Sequence, residues 1–308
     1  MRKSAVLPAE NRPQKANALA QSKLYRWQLH FVWISMTPIL IYLAAFVIYP
    51  FGASIYYSLW DFFWNEYVGF DNYREALFED RSVRLAFSNT LTYALIRIPA
   101  TIIPGFFIAL ALNKILFARG GLIFGFFAPY ITSMVAYSAV FLYLFNSLGL
   151  FNVILQSLGL PAQPFIRSVD QALISLALMD AFKHIGFDVL IFLAALQNIP
   201  RSFYEAALVD GASAWQTTLY ITIPLMAPTI LFLVVVITIW TTQVFEPVFV
   251  LTAGGPLNST RTVVYSIWDA AFQNGRIGYG AALSVILFVV ICFISIIQLR
   301  IGRTRWEY

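Results

Sequence analysis

Charged side chains make up only 11% of this 308-residue chain, where a typical soluble domain carries about 25%. A water-facing globule is therefore excluded for the bulk of the sequence. The single cysteine, Cys292, rules out an internal disulfide and lies in an apolar run, where it reads as a small packing residue. Histidine is nearly absent: His30 and His184 are far apart and show no metal-ligand spacing. The sequence has no Gly-x4-Gly-Lys-[Ser/Thr] loop, so it lacks the phosphate cradle that one large class of ATP hydrolysis uses. No nucleophile motif is visible either, and the chain is predicted to perform no covalent chemistry. The net charge of +5 is too small to argue for nucleic acid.

What fills the sequence is apolar: 60% of it is hydrophobic, with a mean hydropathy of +0.73. The runs are continuous rather than alternating, which selects membrane helices over barrel strands. About 20 residues span a hydrocarbon core, and six runs reach that length, at about 31–54, 86–112, 121–145, 171–196, 224–251 and 279–299. The predicted fold class is all-α: a polytopic membrane protein of six transmembrane helices over residues 29–300. Residues 1–28 read as a cytoplasmic tail, too polar and basic for a span and followed by a run too long for a signal peptide. Residues 301–308 read as a second short tail. Arg97, Pro99 and Pro104 interrupt the second run and predict a kink.

Basic residues set the orientation. With both termini inside, the cytoplasmic segments carry twelve Lys and Arg and the outer loops six. That bias places residues 197–223, between the fourth and fifth spans, in the cytoplasm.

This loop contains the sequence EAALVDGASAWQTTLYITIP, Glu205 to Pro224. Its alanines favour a short helix, and Gly211 permits a turn between two helices. The segment resembles the EAA loop of ATP-binding-cassette (ABC) importer permeases. Glu205, Ala206, Ala207, Gly211, Ile221 and Pro224 fall on the family pattern, and Ile223 stands where leucine is usual. By this resemblance Glu205, Ala206, Ala207, Asp210 and Gly211 form a coupling helix docked in a groove of a separate ATPase. The alternative is a surface helix that only joins two spans. QNIPRSFYEAALVDGA, Gln197 to Ala212, together with LTAGGP, Leu251 to Pro256, resembles the carbohydrate branch, of the maltose and glycerol-phosphate type.

The fourth run carries Asp180, Lys183, His184 and Asp188 around Phe187. At about 100° per residue they occupy an arc of roughly 140°. A charge exposed to lipid there costs at least about 2.5 kcal/mol, so this face meets protein or a wet cavity. One reading is a structural ion pair of Asp180 with Lys183 or His184. Arg97 needs a partner too, with Asp180, Asp188 or Glu246 as candidates. The other reading is a cavity lining. Trp240 lies roughly 24 Å beyond Pro224 and His184 roughly 20 Å before Gln197, so the two patches have similar depth. In the sugar-importing branch the helices flanking the EAA loop line the substrate site. The resemblance carries that role to Asp180, Lys183, His184, Phe187, Trp240, Thr241 and Val244. Trp240 as an interfacial anchor is the competing reading for that residue.

The resemblance implies a subunit of an ATP-driven importer that moves a mono- or oligosaccharide by alternating access. A second homologous permease, two ATPase subunits, an extracytoplasmic solute-binding protein and membrane lipid are the implied partners. ATP-Mg would be held by the ATPases, with no cofactor and no metal in this chain. A polyol or glycerol phosphate is an alternative solute. A different alternative is a proton-coupled secondary transporter using Asp180, His184 and Asp188 as a relay.

Overall fold

A computed structural model describes residues 12–62, 65–115 and 119–302, with side chains from residue 27 onward except residue 29. The tails expected at 1–28 and 301–308 lie outside the described residues up to residue 11 and from residue 303. The chain divides into two units, Met1–Tyr56 and Tyr57–Tyr308.

The first unit is one helical rod. Helix α1 (Arg12–Leu43) runs through a π-helical turn, Ala44–Ile48, into α2 (Tyr49–Tyr57). Its apolar stretch His30–Tyr57 is long enough to cross a membrane, and none of its most apolar window is buried. Helicity therefore starts well before residue 31, because residues 14–37 contain no proline or glycine to stop it.

The second unit begins with a short hairpin, β1 (Trp60–Asp61) antiparallel to β2 (Glu66–Tyr67) in the register Trp60↔Tyr67. Helix α3 (Asp71–Arg74) and a π turn lead to Asp80, whose carboxylate caps α4 (Arg81–Lys114) by accepting from Ser82 N at 2.7 Å. The same residue accepts from Tyr279 Oη at 2.9 Å, and Arg276 forms a two-pronged pair with Glu75. Those Glu75 hydrogen bonds hold the Arg276 guanidinium above its ordinary pKa. Then follow α5 (Arg119–Ile131), α6 (Met134–Leu144), α7 (Leu150–Ser157), α8 (Ala172–Asn198), α9 (Arg201–Val209), α10 (Ala214–Thr217), α11 (Ile223–Leu225), α12 (Ala227–Thr242), α13 (Glu246–Leu251), α14 (Val263–Trp268) and α15 (Ile277–Ile301).

Among the described residues α4 and α15, like the first rod, are single helices long and apolar enough to span a bilayer. Two runs expected to be continuous are broken. The run at 121–145 is α5 and α6, bent by 96°. Pro129 sits in the last turn of α5, and Ser133 takes an extended backbone (ψ 135°) that cannot continue a helix. The run at 224–251 begins at a 66° bend at Met226, where the segment Ala214–Leu225 meets α12 between Pro224 and Pro228, and it stops at Thr242 before α13. Helix α8 is the remaining run expected to span; Asp180, Lys183 and Asp188 lower its hydropathy, and all three are buried against protein.

That enclosure comes from small residues. α8 packs most extensively against α4 and on another side against α5. A Cβ on Gly186 would lie 2.1 Å from the Phe126 carbonyl oxygen, and one on Gly105 would lie 3.1 Å from the Asp188 Cβ. Glycine permits backbones in lipid to approach this closely. The core around them joins Phe106, Val189, Phe192, Leu196, Leu233 and Ile237.

Gly186→Ala should force α5 off α8, an overpacking cost of about 1–3 kcal/mol. Thermal unfolding of the detergent-purified protein should show a lowered midpoint; an unchanged midpoint would mean the two helices do not meet as described.

Candidate solute path and coupling loop

Arg97 on α4 and Asp180 on α8 form the centre of a buried polar cluster. Arg97 Nε lies 2.7 Å from Asp180 Oδ2, and the side chains are 2% and 6% exposed. The approach is off the N–H axis, so it is an ion pair rather than an aligned hydrogen bond. A second guanidinium nitrogen donates to Thr241 Oγ1 on α12. Tyr93 Oη donates to Asp180 Oδ2 at 2.9 Å. His184 Nδ1 sits 2.9 Å from both the carbonyl oxygen and Oδ1 of Asp180, so its proton serves one or the other. Three helices are thus tied at one level by groups that lipid would reject.

Lys183 does not join this cluster. Its ammonium donates to the carbonyls of Pro129 at 2.9 Å, Tyr130 at 3.0 Å and Thr132 at 2.7 Å. They lie at the broken end of α5, where a cation is favoured by both hydrogen bonding and the helix dipole; the Pro129 carbonyl also accepts from the Thr132 N–H and hydroxyl. Lys183 is the cap that makes the α5–α6 break tolerable. Its ring contact with Tyr137, at 5.6 Å, supplements this.

Of the seven residues expected to line a solute path, the structure encloses four. Asp180, Lys183 and Thr241 are buried and committed to protein partners, and Val244 is buried in a cluster with Tyr93 and Met179. The ion pair of Asp180 is with Arg97 and His184, and Lys183 caps a helix instead of pairing with an acid. Helical periodicity cannot tell a protein-facing polar face from a solute-facing one. The other three meet one another. Phe187 and Trp240 rings are 5.3 Å apart, and His184 is 6.4 Å from Trp240. Tyr130, from the end of α5, stacks on Phe187 at 5.4 Å and meets His184 edge-on at 5.7 Å. Trp240 is 39% exposed and the His184 side chain 23%. Tyr130 carries no signal in the sequence, since an aromatic before a helix break has no periodic signature.

The loop after α8 is built to be rigid. α9 ends in a Schellman motif: Gly211, at φ +72°, lets its N–H reach Leu208 O at 3.1 Å and the Ala212 N–H reach Ala207 O at 2.9 Å. Ser213 then starts α10 with a reciprocal capping box to Gln216. Ala207 is buried, whereas Glu205, Ala206, Asp210 and Gly211 are exposed. Leu208 and Val209, 78% and 87% exposed, project an apolar tip beside them that the motif does not mark.

Apolar helices of this length, two of them broken within their runs, define a multi-pass membrane protein. The lactose transport system permease protein of Rhizobium radiobacter is 30% identical over 281 residues, covering 89% of this chain and 94% of that protein. The trehalose/maltose transport system permease protein of Thermococcus litoralis is 30% identical over 289 residues, covering 92% and 97%. The sn-glycerol-3-phosphate transport system permease protein of Yersinia enterocolitica is 31% identical over 284 residues, covering 90% and 95%. A bacterial ABC transporter involved in the import of the acidic polysaccharide alginate has a chain matching with a TM-score of 0.79 at 25% identity, over 94% of this chain and 100% of that one. A bacterial alginate ABC transporter in complex with an alginate pentasaccharide-bound periplasmic protein matches with a TM-score of 0.78 at 24% identity, over 92% and 96%. No family model matches the chain. The chain belongs to the ABC importer permeases of the sugar-transport type.

Asp180→Asn should strand the Arg97 charge at a cost of about 3–5 kcal/mol, the penalty of breaking a buried pair. Adding Arg97→Gln should recover most of the loss of folded protein. Equal yields and melting points for the single and double variants would show that the two residues are not coupled.

Proposed function

We propose that this chain is one half of the pore of an inner-membrane importer that moves a neutral carbohydrate into the cell by alternating access. The observation carrying the solute class is the patch of Tyr130, His184, Phe187 and Trp240. Aromatic faces stack on the apolar faces of a sugar ring, and the histidine and tyrosine can hydrogen-bond its hydroxyls. Several relatives bear the names of sugar transporters. A phosphorylated or acidic solute would want a free cation here, but Arg97 is paired with Asp180 and Lys183 is occupied by three carbonyls. The patch therefore favours a neutral solute over glycerol phosphate. Membership of the ABC family sets aside the proton-coupled alternative.

In this reading both termini are cytoplasmic, and α9 with its Schellman turn inserts into a cleft of an ATPase subunit that binds ATP-Mg. A second, homologous permease would supply the facing wall of the pore, each permease engaging one ATPase. A binding protein would deliver solute on the opposite side. ATP binding closes the ATPases and pulls the two coupling loops together, opening the pore outward; hydrolysis resets it inward. Asp180, Lys183, Thr241 and Val244 act in this scheme by holding α4, α5, α8 and α12, and the solute meets the aromatic patch.

Gly211→Asp tests the coupling role cleanly. Aspartate strains the left-handed turn at Gly211 less than most residues would, and a Cβ added there would meet nothing within 4 Å. The variant should fold, yet lose ATPase assembly or solute-stimulated hydrolysis in the reconstituted complex; normal transport would remove the coupling role from this turn. Trp240→Ala should lower uptake about tenfold, equivalent to roughly 1.4 kcal/mol, while sparing assembly. Undiminished uptake across a panel of solute-loaded binding proteins would take the patch off the path.

A further inference from the structure

Beneath the coupling loop lies a cavity of about 470 Å³, between the end of α4 and the segment from α9 to the π turn at Thr218–Thr222. Its lining has two characters. Leu110 and Leu196 form an apolar floor, while Asn113, Lys114 and Tyr204 bring polar groups to the rim. No carboxylate lines it: Glu205 and Asp210, though close in sequence, are not among its walls. Neither the Lys114 nor the Asn113 side chain has an ion-pair or hydrogen-bond partner among the described residues. Lys114 is the last residue of α4, where a spanning helix leaves the membrane. Alongside, Trp215 stacks on Phe107 with ring planes 7° apart, and Tyr220 is 71% exposed, as aromatics at a membrane surface are.

We propose that this cavity binds an anionic phospholipid of the cytoplasmic leaflet. The phosphate would sit between the Lys114 ammonium and the Asn113 amide, with the upper acyl chain against Leu110 and Leu196. A free inorganic anion would have no use for the apolar floor, and a zwitterionic lipid would bring its own cation close to the Lys114 ammonium, leaving the local positive charge uncompensated. Because α9 and α10 form one wall, an occupied site would brace the coupling loop at the angle from which it meets the ATPase. The inference rests on the orientation proposed above, which puts the loop on the cytoplasmic side.

The intact complex should be reconstituted in nanodiscs of phosphatidylcholine with and without phosphatidylglycerol, and retained lipid counted by native mass spectrometry. Phosphatidylglycerol should be retained over phosphatidylcholine by about fivefold, the effect of one lysine near an anionic headgroup. Lys114→Gln should abolish that preference, and Ala111→Trp, which fills the cavity, should exclude both lipids. Equal retention in the unaltered complex, or an unchanged preference in Lys114→Gln, would overturn the site. Displacement by inorganic phosphate alone would overturn the lipid assignment in favour of a free anion. Co-purification of the ATPase, scored in the same samples, separates the two readings: its absence would count against the coupling role, while the lipid count would still decide the cavity.

Discussion

Arg97 and Asp180 meet where neither could remain alone. A charge in the middle of a bilayer is costly, and a buried pair that loses one member leaves the other uncompensated. The pair joins α4 to α8, the Thr241 hydroxyl adds α12, Tyr93 donates to the same carboxylate oxygen as Arg97, and His184 meets the other. Apolar packing alone gives helices in lipid little reason to choose one neighbour over another, since acyl chains are as apolar as leucine. The polar cluster removes that freedom by selecting which helices touch and at which level.

The glycine contacts and the lysine cap follow from the same arrangement. Bringing α8 close enough for Arg97 to reach Asp180 requires the close approach at Gly105, and the opposite side of α8 accepts α5 only through Gly186. α5 cannot run on past Thr132, so its last carbonyls need donors inside the membrane. Lys183, one turn from Asp180 on α8, supplies them. Broken helices are tolerated at membrane depth where their freed backbone groups are satisfied by protein. The break then turns Tyr130 toward Phe187 and His184, so an aromatic patch is assembled from one continuous helix and one interrupted one.

At the other end, the loop after α8 has the stiffness a lever needs. Its helix is closed by a Schellman turn and restarted by a capping box, so little of the backbone is left to flex between Ala206 and Gln216. Its exposed tip of Leu208 and Val209 is unsuited to water and suited to a cleft. The phospholipid proposed beneath it would support the lever from below. A rigid loop on a soft membrane transmits force poorly unless its base is anchored.

Local pattern was enough for much of this. Continuous apolar runs require helices in lipid, because only a helix satisfies its own backbone there. The turn and caps between Ala206 and Gln216 were legible because such residues act over a few positions; the coupling role proposed for them came from the resemblance of Glu205 to Pro224 to the EAA loop. The charged stripe on α8 showed that this face is shielded from lipid. What shields it was a matter of tertiary structure. A helical wheel gives the direction of Asp180, Lys183, Thr241 and Val244 from their own axes, but not which neighbour stands there. The sequence offered Asp180, Asp188 and Glu246 as partners for Arg97, and only the packing selects Asp180; the carbonyls that hold Lys183 come together only because another helix breaks beside it. The separation of buried scaffold from exposed aromatic patch, and the addition of Tyr130 to that patch, were decided by how three helices pack, through contacts that local sequence does not encode.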